Sequence, residues 1–558
     1  MLNLKYKLGE LNPQFLRELK GRLKIRNVLL AISTSLLGQF ILFMTFQAQL
    51  PQTPMELLSS NKYCTGESKY NLQGCIVDNY GNLIINWQLW YQDIFNWLSL
   101  LGIFAILVGG IYLLINDLAT EERRDTLNFI RLSPQPAQSI LLGKMLGVPI
   151  VLYLVILLAI PFHFWSGLNA KLPWDQILIF YVILLAASFF YYSGALLFGL
   201  IGSWLVGFQS WLGSAFVLGF LLFTQEALKN GIYLAGPLLA LRLISPQYFI
   251  PSSSASFGLA SFHWFGLPLE DSFVTISSFN LVVYFIGSYF IWQSLQRCYR
   301  DPNATMLSKQ QSYLLTTSFT AITLGCATWP NVVAKNYSLS GLETDLLMLL
   351  FLYLVLFLYL IAALMPNRQT LQDWARYRHI YTAKRSGKGK LIKDLIRGEK
   401  SPGVLAIAIN ALIAITSMSV FILIQPIEEF HKITGFTALI FAFSLLMIYA
   451  ALAQLLLFMK NDLRLLWTNG IIGAVIILPP IVLGLLFSET GNQTFLWLFS
   501  IAAPVIFLHL QNQTLFNVMS SFVAILGHAG ILGLLLFQTQ RQLQKAGESA
   551  TKVLLTRN

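Results

Sequence analysis

Apolar residues in this chain gather into long unbroken runs divided by short polar breaks, without the one-on, one-off alternation of a strand. The runs are Val28–Phe46, Trp97–Ile115, Ile140–Ile160, Ile177–Leu200, Trp204–Phe223, Val274–Trp292, Tyr313–Trp329, Leu346–Met365, Val404–Ile424, Phe436–Met459, Trp467–Phe487, Phe495–Leu510 and Leu515–Phe537. Runs of about 20 residues span a hydrocarbon core of about 30 Å at about 1.5 Å rise per residue. In lipid only helices and closed barrels satisfy every backbone N–H and C=O, and runs without alternation suit helices. The pattern predicts an all-α, polytopic transmembrane helical bundle. Phe495–Leu510 is short and contains Pro504 and His509, so it is expected not to cross. About 12 spans remain, with both chain ends on one side. A misread turn at Ile201–Ser203 would restore the same parity.

Two polar stretches carry an amphipathic pattern. In residues 1–26, Asn12-Pro13 is a helix start, with Asn at the N-cap and Pro at the first helical position. Phe15, Leu16, Leu19 and Leu23 then share a face opposite Arg17, Lys20 and Lys24, as in a helix lying in the headgroup plane. Inside the basic segment 366–402, Leu391, Ile392, Leu395 and Ile396 form a second apolar face, and Gly398 is placed to end the helix. Each segment leads into a span. They hint at a duplication, but eight predicted spans separate them where a clean repeat would need six.

Composition agrees: 56% of residues are hydrophobic and 11% charged, too little charge to cover a soluble fold of this length. The first apolar run follows a long basic lead with no small-residue cleavage site, so no secretory signal peptide is expected. The net charge of +12 invites a nucleic-acid reading, but lysine and arginine follow the loops. With a cytoplasmic N-terminus, the inner segments hold 26 of the 37 Lys and Arg and the outer loops 7, the last 4 lying in the C-terminal tail. That is the positive-inside asymmetry of an inner-membrane, multi-pass protein, and no nucleic-acid partner is called for.

Against this scarcity, Glu121, Glu122, Arg123, Arg124 and Asp125 stand in a row between the second and third runs. Segment 117–133 reads as a short cytoplasmic helix. Thr120 is placed to cap it, Glu121 and Glu122 fill its first turn where the helix dipole favours acid, and Pro134 and Pro136 end it. There is no full capping box, since Arg123 stands where Glu or Gln would complete one. Leu127, Ile130 and Leu132 are expected to offer an apolar patch.

The residues resemble the permease subunits of ABC exporters of the type V class, which export drugs, polysaccharides and lipids. The likeness rests on Glu121/Glu122, Thr126-Leu127, Leu132-Ser133-Pro134 and Ile140-Leu141-Leu142-Gly143-Lys144, on the amphipathic lead at 1–26, and on six spans within 27–300 with a longer outer segment, Leu228–Asp271, before the sixth. It departs at Asp125, where the family has Gly, and in the extra half, 301–558. The resemblance implies a membrane-spanning subunit powered by a separate ATPase that docks on Glu121, Glu122, Arg123, Arg124, Asp125, Thr126 and Leu127. Either a homodimer or a fused pseudo-dimer would supply the helices of two half-transporters.

The chain has no GxxxxGK[ST] of its own, and Ser386-Gly387-Lys388-Gly389-Lys390 reads as a solvated basic loop. No catalytic residue and no cofactor is expected. The histidines at 163, 263, 379, 431, 509 and 528 show no i,i+4 pair, so no metal site is expected. Cys64 and Cys75 in the outer loop are either free thiols or, as an oxidising compartment favours, a disulfide; Cys298 and Cys326 read as ordinary residues. The spans are nearly free of Asp, Glu, Lys and Arg, which argues against proton-coupled transport. Lys144 is expected to snorkel from a span start, and Glu226 sits past a span end. The rival reading is an integral-membrane enzyme acting on a lipid, but outer-loop Glu56, Glu67, Asp78 and Asp93 form no spaced acid/base pair.

Overall fold

The computed structural model describes residues 12–51, 61–66, 68–69, 72–73, 75–76, 78, 83–205, 207–229, 236–252, 262–269, 272–329, 339–382, 388–427, 429–461, 463–486, 494–505 and 515–555. Glu56, Glu67, Ser386, Gly387, His509, residues 506–510 of the run Phe495–Leu510 and parts of the segments 1–26 and Leu228–Asp271 lie outside them. Among the described residues, eleven helices are long and apolar enough to cross a membrane, and no strand exceeds two residues. The all-α polytopic bundle expected from hydropathy is the observed fold, and the chain is a multi-pass membrane protein.

It forms two compact units: Met1–Leu234, Leu241–Phe262 and Leu269–Arg300 make the first, and Ala235–Ala240, His263–Pro268 and Asp301–Asn558 the second. The first is built from α1 (Pro13–Arg22), α2 (Ile25–Ala48), α3 (Trp87–Arg123), α4 (Thr126–Arg131), α5 (Ala137–Gly147), α6 (Ile150–Asn169), α7 (Trp174–Ile201), α8 (Gln209–Lys229) and α9 (Phe273–Arg300). Six are of span length, α2, α3, α6, α7, α8 and α9, so both ends of this unit fall on one side. α6 packs on α2 and α3, while α7 packs on α3 and α9.

Two elements differ from the sequence reading. The third run, Ile140–Ile160, is two helices: α5 ends at Gly147, and α6 opens after Pro149 and continues to Asn169. Pro149 has no N–H to donate, so the ladder restarts there. The second run begins ten residues earlier than predicted. At 37 residues, α3 is about 55 Å long and outlasts a hydrocarbon core of about 30 Å. It contains one wider π turn at Ala105–Gly109, where the Tyr192 hydroxyl donates to the Ile106 carbonyl at 2.8 Å. Gly110 must be glycine there, because a Cβ would run into that hydroxyl.

The second unit is built from α10 (Lys309–Gly325), α11 (Leu339–Leu364), α12 (Arg368–Thr382), α13 (Lys388–Arg397), α14 (Val404–Ile424), α15 (Glu429–Leu457), α16 (Arg464–Leu486), α17 (Thr494–Trp497) and α18 (Leu515–Leu555). Five are of span length. The run Tyr313–Trp329 forms α10, 17 residues or about 25 Å, the shortest of the apolar helices. A capping box starts it: Gln311 N–H donates to Ser308 Oγ at 3.2 Å, and Ser308 N–H to Gln311 Oε1 at 3.0 Å. Within the described part of Phe495–Leu510, helix is found in α17 and again at 503–505. Leu349, Leu360, Ile407, Phe421, Phe441 and Ala450 form the fully buried core of this unit. Asn410 stitches α14 to α10, accepting from Thr316 at 2.8 Å and donating to Ser312 at 2.9 Å, a polar tie suited to helices that gain nothing by excluding lipid.

Lys309, at the start of α10, is buried. Its ammonium donates to the Leu395 and Pro402 carbonyls at 2.7 and 3.0 Å and to Ser401 Oγ at 2.6 Å. It thereby closes the C-terminal end of α13, which Gly398 ends as the sequence indicates. Burial lowers the pKa of this lysine to about 8, with Asp394 opposing the shift.

Candidate functional site at the α3–α5 junction

The charged row begins inside α3, not in a separate helix. Ile111, Leu114, Ile115 and Leu118 form one buried stripe that leads up to Thr120, and the helix runs on without a break to Arg123. Thr120 therefore caps nothing; its hydroxyl donates back to the Asn116 carbonyl at 2.7 Å. The break falls at Arg124–Asp125, where Asp125 takes a left-handed backbone with φ of 54°. Asp accepts this conformation more readily than most residues, and the Gly of the resembling pattern would do so without strain. Thr126 Oγ1 donates to the Glu121 carbonyl at 3.1 Å and closes the turn.

α4 is short, and of the expected apolar patch Leu132 stays exposed while Leu127 and Ile130 do not. Leu127 and Ile130 point inward and are buried, whereas Phe129 and Leu132 are 78% and 86% exposed. Arg123, Arg124 and Asp125 are exposed beside them, Glu122 and Thr126 half-buried. The far end of the segment is tied down: the Arg131 guanidinium lies 5.6 Å from the Tyr299 ring, and Gln138 donates to Gln296 at 3.2 Å, both partners on α9.

Glu121 has a different role from its neighbours. It stands one turn after Asp117 on α3, and the two carboxylates face Lys144 of α5, whose ammonium is 2.7 Å from each. Lys144 does not snorkel. It is fully buried, because its partners come to it from α3. Arg22 of α1 adds a second cation, 2.5 Å from Asp117 and 3.0 Å from Glu18. Oxygens of Glu18, Asp117 and Glu121 converge closely enough to hold a cation; here Lys144 and Arg22 supply the positive charge. An isolated buried charge is prohibitively costly, and such groups persist when paired and hydrogen-bonded.

α1 reaches this cluster by a close approach. Its N-cap forms as the sequence predicts: Phe15 N–H donates to Asn12 Oδ1 at 2.9 Å, and Asn12 Nδ2 donates across to the Ser139 carbonyl at 2.7 Å. Gly143 and Gly147, one turn apart on α5, admit α1. A Cβ at Gly143 would lie 2.8 Å from Asn12 Oδ1 and from Phe15 N, and one at Gly147 would strike Glu18. Thus α1, α3 and α5 meet in one ion-paired knot from which α4 projects.

Sequence reasoning missed Glu18, Arg22, Asp117, the true role of Lys144, and Phe129. Signals were present in the four-residue spacings Glu18/Arg22, Asp117/Glu121 and Gly143/Gly147, each of which puts both residues on one helix face.

Elsewhere, a buried histidine imitates a nucleophile–base pair. His163 Nε2 lies 2.7 Å from Ser99 Oγ, and Nδ1 lies 2.7 Å from the Tyr181 hydroxyl. Ser99 donates its only proton to the Phe95 carbonyl at 2.8 Å, so it accepts from His163, which leaves Nδ1 to accept from Tyr181. A histidine that donates to a serine does not activate it. In the segment between α2 and α3, Cys64 and Cys75 are joined by a disulfide. Asp93 is held by Lys62 at 2.6 Å and by the Tyr63 hydroxyl at 2.8 Å, fastening that segment to the start of α3. Comparison with protein-family models, with curated proteins and with solved structures finds no match to this chain.

Proposed function

We propose that this chain is the membrane-spanning permease subunit of an ABC-type exporter in the inner membrane. A separate ATPase docks on the cytoplasmic face of α4 and supplies the ATP chemistry, for which this chain carries no phosphate-binding loop. The observation that carries the reading is the pairing of an exposed apolar tip with a rigid base. Phe129 and Leu132 stand in the open, flanked by Arg123, Arg124 and Asp125, while Leu127 and Ile130 anchor the same helix. Burying two large apolar side chains contributes about 3–6 kcal/mol gross, enough for a docking plug framed by charge. The base is the Lys144 knot, which joins the end of one span to the arm that leads into the next. Force applied to α4 therefore reaches α3 and α6 together. Residues of the expected contact set divide accordingly: Arg123, Arg124 and Asp125 face the partner, Glu122 and Thr126 border it, and Glu121 and Leu127 hold α4 in place.

Affinity capture of the tagged chain in mild detergent, with mass spectrometry of stoichiometric companions, tests this. A P-loop ATPase retained by the native chain and lost from Phe129→Asp is the expected result. An eluate with no ATPase leaves Phe129 and Leu132 without a docking partner and removes the basis for the exporter.

A further inference from the structure

The second unit contains a cavity of about 600 Å³ at mid-height of its helices, walled by α11, α14, α15 and α16. Its lining is almost wholly apolar, and room is made where Ala411 and Ala414 of α14 and Ala442 of α15 face Ile476 of α16. Left empty, apolar walls of this kind forgo the dispersion contacts that a filled site would give them. Water does not fill apolar space of this kind. Hydrocarbon does, and the way in is open to it: Phe351 and Ile477 line the cavity and are each 57% exposed, on helices whose outer surface faces lipid.

A second, polar cavity of about 400 Å³ lies at the starts of α12 and α16, lined by Arg368, Gln369, Gln372, Asp373, Arg376 and Arg464. Arg376 approaches Asp373 at 3.6 Å. Among the described residues, the guanidinium groups of Arg368 and Arg464 have no ion-pair partner, and Arg368 Nε is buried without a hydrogen-bond acceptor. The two cavities share α16. Arg464 opens that helix and Ile476 follows twelve residues later, about 18 Å along it. That is close to the depth of one leaflet, about 15 Å of hydrocarbon below the headgroup.

We propose that the second unit holds one anionic phospholipid, its phosphate on Arg368 and Arg464 and one acyl chain in the apolar cavity. The net charge of the polar pocket, three arginines against one aspartate, selects an anionic headgroup over a zwitterionic one. Ala411 and Ala414 set the width of the chain site. The lipid is a resident part of the fold, and the proposal does not depend on the ATPase reading of the first unit.

The test uses the full chain in mild detergent, washed with phosphatidylglycerol or phosphatidylcholine and examined by native mass spectrometry. One phosphatidylglycerol per chain is expected to survive detergent exchange, at tenfold or greater occupancy over phosphatidylcholine. Arg368→Gln with Arg464→Gln should abolish that preference, and Ala414→Phe should abolish retention of both lipids. Phosphatidylglycerol carrying a photoreactive group on its acyl chain should label Met418 or Ile476 in the native chain, a readout that needs no folded variant. Equal retention of the two lipids, a preference that survives loss of both arginines, undiminished retention in a folded Ala414→Phe chain, or labelling confined to outward-facing residues would each overturn the proposal.

Discussion

Lys144 lies with its ammonium 2.7 Å from the carboxylate of Glu121, the first member of the charged row. The contact joins α3 to α5 and makes a residue chosen for its charge into part of the frame.

Lys144→Met would leave Glu121 without its counter-charge and Asp117 with Arg22 alone. Breaking a buried pair from one side costs about 3–5 kcal/mol, so thermal unfolding in detergent should fall by roughly 10 °C. The double variant Lys144→Met with Glu121→Gln should recover part of that loss, since it removes the stranded charge while Asp117 keeps Arg22. Glu121→Lys should destabilise in the same way, whereas Arg124→Ala, at an exposed position, should shift the midpoint by no more than about 1 °C. Equal midpoints for Lys144→Met and Arg124→Ala would refute the knot.

Phe129→Asp and Leu132→Asp act on the exposed face of α4. Each should lower retention of the ATPase in affinity capture at least tenfold while leaving the thermal midpoint within about 1 °C of the native chain, as for surface positions generally. Leu127→Asp, one residue inside the same short helix, should instead lower the midpoint before any docking is measured. If Phe129→Asp unfolds the chain, the outward orientation of that side chain is wrong.

Gly147→Leu tests the approach of α1. The branched side chain would occupy the space of Glu18, and overpacking of this kind costs typically about 1–3 kcal/mol. α1 should separate from α5, seen as faster proteolysis between residues 12 and 24 with the spans still protected. Gly473→Leu, where nothing lies within 4 Å of a Cβ, should leave the cleavage pattern unchanged.

Lys309 predicts a pH dependence. Its pKa is lowered by burial from 10.5 to about 8, so between those values the unfolded chain binds more protons than the folded one, and stability gains from this group as pH rises. Below about pH 8 both states are charged and the burial cost is felt in full. The stability of the native chain relative to Lys309→Met should therefore improve from pH 8 towards 10, measured as the difference in thermal midpoint. A difference that is flat or falls across that window would contradict the assignment.

Local signals were legible where the chemistry was local. Asn12-Pro13 announced α1, and Gly398 announced the end of α13. Thr120 misled because a capping side chain was weighed without the buried stripe from Ile111 to Leu118 that leads up to it. The facing of α4 could not be read, since six residues make less than two turns and give periodicity nothing to repeat. Lys144 was invisible as a structural residue because Asp117 and Glu121 lie 27 and 23 residues upstream of it, and only the folded chain brings them together.

The length of α3 also has a mechanical side. It is one continuous rod with Asp93 and the disulfide-bonded segment before it fastened near its start, Glu121 fastened near its end, and a π turn near its middle. Pivoted at that turn, a tilt of about 10° would carry Arg123 sideways by roughly 4 Å and the Asp93 end by a similar distance the other way. Under such a tilt the two ends of α3 would move in opposite directions, with no helix to unwind.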